Sequence, residues 1–463
     1  IPQLYDDTSY GRTLGQAGLF YYSAPTPGTE NGLGFTGYAE APTFNVAGGL
    51  YERPLMGENA VTISVPANSV VRYTLDSTDP NETSPLYTGP IEVERNTVIR
   101  ARAFRDGVEA SQIISQTYLI SVYHTMPVIC LTTDPDNLWN EEYGALADGP
   151  NIDKSTSTPW FKNATYGQKN WFPAWLEYTD ENGQLQISQG VRFRIMGQYS
   201  LDMPQKSMFI KADGQFGKSE FDYALFDDRP YTTYKSFVLR NGGQDGLYTR
   251  VMDGLEARII DQADSTLVTQ SWKPVIVYID GEYWGHFNMR ERAGVDMIAQ
   301  HEGWANADDI DLLQSDGLKS TQVKQGSNAD YKDLYNRVLN ANLNDDPELL
   351  AEVEANFDID NMFDYYIFES FYGNSDPGNV RFYRNTKSGD GKWRYLVYDM
   401  DWGLFSATYT EKGKEYARAG VSYYMNESGA GTHHIKSTLF LRRLVQVPKY
   451  RDKFLKRYGE LFN

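Results

Sequence analysis

The chain is short of cysteine, of long apolar runs and of positive charge, and each shortage closes off a class of protein. One cysteine, Cys130, stands in 463 residues, so there is no intramolecular disulfide framework and the redox compartment stays open. It lies in the apolar run "PVICL", where a buried, inert thiol is expected. No apolar run approaches the roughly 18 to 20 residues of a membrane span. Ile1 opens without the charged and apolar regions of a signal peptide. Lys and Arg number 43 against 62 Asp and Glu, a formal net charge of -19. Phosphate contacts in nucleic-acid binding need a basic face, so that class of partner is not expected. A polyphosphate would be repelled too, unless a divalent cation came with it. The five histidines (124, 286, 301, 433 and 434) show no HExxH or similar zinc spacing.

What the chain has in plenty is aromatic surface: 34 tyrosines and 9 tryptophans, which suit exposed β surfaces and sugar-stacking platforms as well as cores. Residues 1–49 are rich in Gly, Pro, Thr and Ser around "SAPTPGTENG" and read as a linker with a few short strands. Residues 50–121 carry short, evenly spaced apolar runs, "AVTISV", "VVRYTL", "IEV", "TVIRARAF" and "QTYLI", between turn clusters; the spacing predicts a small all-β sandwich. Residues 122–463 mix strands and helices, strand-rich first and helix-rich after. "PVIVYIDGEYWGHFNMR" reads as a hairpin turning at Asp280 and Gly281. "DNMFDYYIFESF" reads as a helix capped by Asp360, with Phe363, Tyr366, Ile367 and Phe371 on one stripe.

The chemistry-bearing stretch runs from Asn374 to Gly403, "NSDPGNVRFYRNTKSGDGKWRYLVYDMDWG". If the strand through Leu396, Val397 and Tyr398 stays extended, Asp399 and Asp401 project to one face roughly 7 Å apart. Two such carboxylates repel each other, and Mg²⁺ or Mn²⁺ between them would resolve the conflict. The plain alternative is a pair of turn aspartates before Gly403, and Asp376 in "NSDPGN" has the same alternative. A hairpin over "VRFYRN" and "KWRYLV" would bring Asp376 and Asn379 close to Asp399. The order Asp, Asn, hairpin, "DWG" is similar to the protein-kinase catalytic machinery. It departs from it in having no His-Arg before Asp376 and two residues, not four, between Asp376 and Asn379. Upstream, Lys206 opens a strand after the bend at Gly197, where a lysine can meet nucleotide phosphates or simply lie on the surface. Glu291 can pair with Lys206 or serve as an ordinary charge at a helix N-terminus. Arg194, on the strand before the bend, is expected with them on the nucleotide side.

Taken in order, "MPVICLTTD", "AWLEYTDENGQ", "GVRFRIMGQYSLDMPQKSMFIK", "YKSFVLRNGGQD", "VIVYIDGEYWGHFNMRER", "NSDPGNVRFYRN" and "KWRYLVYDMDWGLF" resemble the CotH kinase family, atypical kinases named for a spore-coat protein kinase. The resemblance spans about residues 126 to 460. "VRYTLDSTDPNETSPLYTGPIEVERNTVIRARAFRDGVEAS" resembles the immunoglobulin-like module at the C-terminus of chitobiases and hexosaminidases. "SYGRTLGQAGLFYYSAPTPGTEN" resembles the closing strands of a lamin-tail-type β domain, which implies chain upstream of Ile1. The fold implied is α+β: a divergent protein-kinase-like two-lobed domain with a small all-β immunoglobulin-like module N-terminal to it. The resemblance gives Lys206 the nucleotide-phosphate position, Asp376 the catalytic aspartate and Asn379, Asp399 and Asp401 the metal site. Val380 stands where many relatives carry a second Asn.

The activity implied is transfer of the ATP γ-phosphoryl to a Ser or Thr of a protein acceptor, with Mg²⁺ or Mn²⁺, by a secreted or cell-surface bacterial protein. The acceptor is expected to be a surface or glycan-associated protein. Two other readings stand beside it. One is an inactive surface adhesin or pseudokinase; the other is a hydrolase using the paired carboxylates.

Overall fold

A computed structural model describes residues 4–5, 8–23, 26–153, 163–316, 321–374, 379–404, 420–425 and 437–462. The chain is α+β with an all-β N-terminal region, and it divides into two compact units. The first comprises residues 1–241 and 273–289, the second 242–272 and 290–463.

The first unit begins with a ribbon of β1 (Ser9–Gly11) and β2 (Phe20–Tyr22), then a four-stranded sheet in the order β3-β6-β5-β4. Its strands are β3 (Gly49–Tyr51), β4 (Val70–Thr74), β5 (Thr97–Phe104) and β6 (Ile114–Ile120). The expected strands at "AVTISV" and "IEV" are present only as isolated bridges, Val61 to Ile91 and Leu55 to Val93. Val61, Val93, Ile99, Ala101 and Tyr118 close the core between these layers.

A closed seven-stranded barrel follows, in the order β10-β13-β15-β14-β7-β8-β9. Its strands are β7 (Val128–Thr132), β8 (Phe172–Thr179), β9 (Leu185–Met196), β10 (Ser207–Ala212), β13 (Ser236–Arg240), β14 (Trp272–Ile279) and β15 (Glu282–Glu291); β11 (Phe221–Asp222) and β12 (Thr233–Tyr234) form a small ribbon beside it in sequence. The short helix α1 (Pro135–Trp139) is capped by Asp134, whose side chain accepts from the Asp136 amide. Alternation in β9 shows why this sequence makes a barrel wall. Val191, Phe193 and Ile195 are buried while Arg192 and Arg194 between them stay partly exposed, the period of two that a half-buried strand requires. The β14–β15 hairpin turns at Asp280 (φ 51°) and Gly281 (φ 80°), as the Asp-Gly pair predicts. Closure leaves no strand edge of the barrel unpaired.

Within this unit the β module is fixed to the barrel by polar groups as well as by apolar ones. Leu119 packs with Val128, Cys130, Ile276 and Tyr278, and burial raises the Cys130 thiol well above its ordinary value. The Glu177 carboxylate of β8 accepts from the Thr117 amide of β6 at 2.9 Å. A Cβ on Gly48 would fall 2.0 Å from Glu177 Oε1, so only glycine leaves room for this carboxyl. Nearby, Arg100 pairs with Asp79 at 2.5 Å, the Asp79 amide donates to Asp134, and Asp280 accepts from the Thr133 amide. Burial raises Glu177 to about 8 and Asp280 to about 7.

The second unit holds the sheet β17-β16-β18-β19, made of β16 (Ile310–Asp316), β17 (Gln322–Gln325), β18 (Asn379–Asn385) and β19 (Arg394–Leu396). Around it run α2 (Met252–Gln262), α3 (Val295–Glu302), α4 (Ala329–Val338), α5 (Pro347–Asn356), α6 (Ile359–Tyr372), α7 (Val421–Met425), α8 (Leu439–Leu444) and α9 (Pro448–Phe462). Pro448 opens α9 and separates it from α8, since proline is tolerated at the first turn of a helix but not inside one. Helix α6 is buried on almost every side, polar residues included, so it is the centre of the core. Its cap is Asp358, which accepts from the Asn361 amide at 3.1 Å, and not Asp360 as the sequence reading had it. The helix begins two residues earlier than that cap implies, at Ile359, and Asp360 sits in its first turn beside Lys453. Phe371 is 47 % exposed and stacks on Phe462 at 3.9 Å. Among the described residues, no helix is long and apolar enough to cross a membrane.

The state of Glu177 yields a stability prediction. Its folded-state value lies above the ordinary 4.5, so between about pH 4.5 and 8 the folded chain keeps a proton that the unfolded chain has lost. Stability must then fall as pH rises through that window, by on the order of 4 kcal/mol from this group. Tyr51, Tyr118 and Cys130, which face the same carboxyl, stay neutral there. Glu177→Gln should remove most of the decline, measured as urea midpoints at pH 5 and pH 8; an unchanged slope would show that Glu177 carries no buried proton.

Candidate functional site

The hairpin β18–β19 brings its two ends together. Register pairs Arg381 with Leu396, and beyond the pairing Asn379 Nδ2 donates to Asp399 Oδ2 at 3.3 Å. This is the approach of Asn379 to Asp399 that the sequence order implied. Asn361 of α6 secures the second strand, since its Oδ1 accepts from the Tyr395 amide at 2.6 Å while Nδ2 donates to Thr266 O at 3.3 Å.

The strand does not stay extended to the aspartates. It ends at Leu396, and Asp399 takes a left-handed conformation (φ 61°), one that Asp tolerates better than most residues. The expected same-face placement of Asp399 and Asp401 is therefore replaced by a turn, because the chain must bend to meet the helices. Three bonds pin that turn: the Met400 amide to Asp253 of α2 at 3.4 Å, the Gly403 amide to Met400 O at 2.9 Å, and the Leu404 amide to Tyr372 O of α6 at 2.7 Å. Asp399 stays partly exposed, whereas Asp401 is 5 % exposed.

Behind Asp401 lies a wall of carboxyl groups that the sequence reading missed. Asp245 accepts from Thr249 and from the Met252 amide, capping the approach to α2. Asp253 pairs with the buried Arg290. Glu369, buried in α6, accepts from the Tyr424 hydroxyl. Glu256 is 0 % exposed, and neither of its carboxyl oxygens has a hydrogen-bond partner. Burial, then the charges of Asp253, Glu369, Asp401 and Asp245, push Glu256 up to about 10. A Cβ on Gly403 would lie 2.3 Å from Glu256 Oε1, so the glycine of "DWG" is what lets this carboxyl sit against the turn. Glu369 could have been found from sequence, as a lone acid inside the apolar run of α6. Glu256, in "MDGLEARIIDQ", looks like any helix-surface acid.

The nucleotide-side candidates stand as follows. In the first unit, the Lys206 ammonium donates to Leu201 O at 2.7 Å and Met203 O at 3.2 Å and lies 3.8 Å from the centre of the Tyr166 ring. It lines a cavity of about 360 Å³ with Trp139, Asp148, Tyr166, Asp202 and Trp284 among others. Asn241 holds the flanking backbone, donating to Gln205 O and accepting from Ser207 Oγ. Arg194 stacks on Trp171 at 4.9 Å and Phe209 at 5.5 Å, and burial lowers its guanidinium from the ordinary value. In the second unit, Glu291 ends β15, accepting from the Ser271 amide at 2.8 Å and lying 3.3 Å from His301 Nε2. Asp376, His433 and His434 lie outside the described residues.

The family model described as CotH kinase protein matches residues 193–463, more than half of the chain. The chain belongs to the CotH kinase protein family. A second model, described as Fn3 associated, matches residues 61–118 in the β module. No curated protein matches the chain. The CotH match opens inside β9, so β7 and β8, which complete the barrel, lie ahead of it. It includes every site candidate named above.

Within the wall behind Asp401, Asp253 and Arg290 form a buried ion pair. Arg290→Met would leave Asp253 buried without its cation and should cost about 3 to 5 kcal/mol, read as a fall in the urea midpoint. Asp253→Asn combined with Arg290→Met should recover much of that loss.

Proposed function

We propose that this CotH family chain is an atypical protein kinase, transferring the γ-phosphoryl of ATP to a Ser or Thr hydroxyl of a secreted or surface protein. The observation that carries the reading is the Asn379–Asp399 hydrogen bond. It supports a hairpin whose two ends meet at one site, next in the chain to the buried Asp401. A kinase-like two-lobed arrangement, a chitobiase-type immunoglobulin-like accessory module and a secreted location belong to the same proposal.

Asn379, Asp399 and Asp401 would hold Mg²⁺ or Mn²⁺. Their chemistry fits: all are hard oxygen donors, and the surrounding carboxylates outnumber Arg290. Among the described residues no three His, Cys, Asp or Glu side chains form a ready-made cage. An amide oxygen and substrate phosphates would complete the shell, the usual habit of Mg²⁺. The cation would neutralise charge on the β- and γ-phosphate oxygens.

The remaining work falls to the chain's own residues. Asp376 would orient the acceptor hydroxyl and take its proton as the hydroxyl oxygen bonds the γ-phosphorus. The bond from that phosphorus to the bridging oxygen breaks and ADP leaves with the electron pair. Lys206, Arg194 and Glu291 would serve the nucleotide side, with Lys206 exchanging a carbonyl partner for a phosphate oxygen.

Asp376→Asn should bind Mg²⁺ and ATP nearly as the parent does while losing about 10²- to 10⁴-fold in phosphoryl transfer. Labelled ATP with a panel of protein acceptors measures this. Equal turnover in the two proteins would return Asp376 to the role of a turn residue, and a parent that binds ATP but labels nothing would be a pseudokinase. For Lys206→Met, a fall in ATP affinity of tenfold or more is expected by calorimetry. A lower melting temperature with unchanged affinity would make Lys206 a strut of its own loop instead.

A further inference from the structure

The outer face of the barrel carries positive charge without matching counter-charge. Val191, Phe193 and Ile195 of β9 and Met208 and Ile210 of β10 fill the barrel core, so the period of two turns Arg192, Arg194, Phe209 and Lys211 outward. Register sets Arg192 opposite Lys211 and Arg194 opposite Phe209. Arg192 has a counter-ion in Asp213 at 2.8 Å. Among the described residues neither Arg194 nor Lys211 forms an ion pair, and Arg194 Nε is buried without a hydrogen-bond partner. In a chain with 62 acidic and 43 basic residues, carboxylates are plentiful, yet two neighbouring cations on one wall go without them.

Arg194 is also held in place. Its guanidinium lies over Trp171 at 4.9 Å and Phe209 at 5.5 Å, and Arg192 lies over the same Trp171 ring at 4.9 Å. Ring contacts of this kind occupy guanidinium faces and leave the N–H groups in its plane for a partner. A fork fixed in this way matches two oxygens of a phosphate. Lys211 is the diagonal neighbour of Arg194 across the β9–β10 pairing, about 7 to 8 Å away by backbone spacing. One ligand meets both side chains only if it carries more than one oxyanion group. A chain of phosphates is such a ligand, and a lone carboxylate is not.

We propose that Arg194 and Lys211 together bind the polyphosphate of the nucleotide, Arg194 by a two-point contact and Lys211 as a point charge. The inference rests on the nucleotide-side role given to Arg194 under Proposed function. It adds Lys211, and it makes the phosphate chain recognisable on this wall without the base. Locally the two cations also offset the acidic field that repels a polyphosphate from the rest of the chain.

The test is calorimetric binding of inorganic tripolyphosphate, with no divalent cation added, to the whole 463-residue chain as parent and as Arg194→Met, Arg194→Lys and Lys211→Met. The parent should bind it, and Arg194→Met should bind about tenfold or more weakly, the loss of one charge-assisted contact. Arg194→Lys should lose nearly as much, because an ammonium keeps the charge but cannot fork; full rescue by lysine would overturn the two-point contact. Lys211→Met should weaken binding about threefold with an unchanged melting temperature, since its side chain has no ion pair to lose. Should the Arg194 variants fail to fold, Lys211→Met carries the decision at that threshold. If the folded variants bind tripolyphosphate as the parent does while Mg²⁺ and ATP still bind, this inference falls and the kinase reading stands. It falls equally if a glutamate-rich peptide binds through these residues and tripolyphosphate does not. If the parent takes up neither tripolyphosphate nor ATP with Mg²⁺, both fall together.

Discussion

Mutual repulsion among buried carboxyl groups is the constraint on which the second unit turns. Asp253, Glu369, Asp401 and Asp245 all bear on Glu256, and Arg290 is a buried cation paired with Asp253. Such a cluster is tolerable only if each member has its own resolution. Asp245 is resolved by amide and hydroxyl donors at the start of α2, Asp253 by Arg290, and Glu369 by donors that include Tyr424. Glu256 is resolved by a proton, because its raised value keeps it neutral across physiological pH. The core around α6 then supplies the rigidity that holds these charges in place.

The same physics appears in the first unit with a different outcome. Glu177 is also buried and also protonated at neutral pH, yet it has a donor in the Thr117 amide. That amide belongs to the β module and the carboxyl to the barrel, so the bond ties β6, already in register with β5 at Thr117, to β8 as well. A buried carboxyl with a donor is an anchor. A buried carboxyl without one is a vacancy in the bonding pattern, and that difference separates Glu177 from Glu256.

Much of this was legible from sequence where one local rule decides. The stretch carrying Arg194 read as a strand, the Asp280-Gly281 pair as a hairpin turn and Pro448 as a helix break, because sterics or solvent contact fixes each from neighbouring residues alone; that the strand belongs to a closed barrel was not legible. The meeting of Asn379 and Asp399 was legible as well, since any hairpin joins its ends. Two features escaped for a common reason. The left-handed turn at Asp399 is imposed by bonds to α2 and α6, and the cap at Asp358 in place of Asp360 by where the buried helix must begin. Both are tertiary decisions. Glu256 is the extreme case, for its solvent-free position depends on Gly403, roughly 150 residues away in the chain, and no periodicity around it announces burial.

That position also bears on the hydrolase reading of the acidic site. A glycosidase needs one carboxyl held protonated beside another held ionised, and Glu256 next to Asp401 meets the electrostatic half of that requirement. It does not meet the steric half. A general acid must reach a glycosidic oxygen, and Glu256 at 0 % exposure lies behind the Gly403 turn, where no sugar can approach it. Its oxygens face the Gly403 backbone, where a Cβ would already collide with them. A carboxyl sealed behind that turn can set the charge around Asp401 but cannot protonate a leaving group, so the hydrolase reading finds no accessible general acid at Glu256.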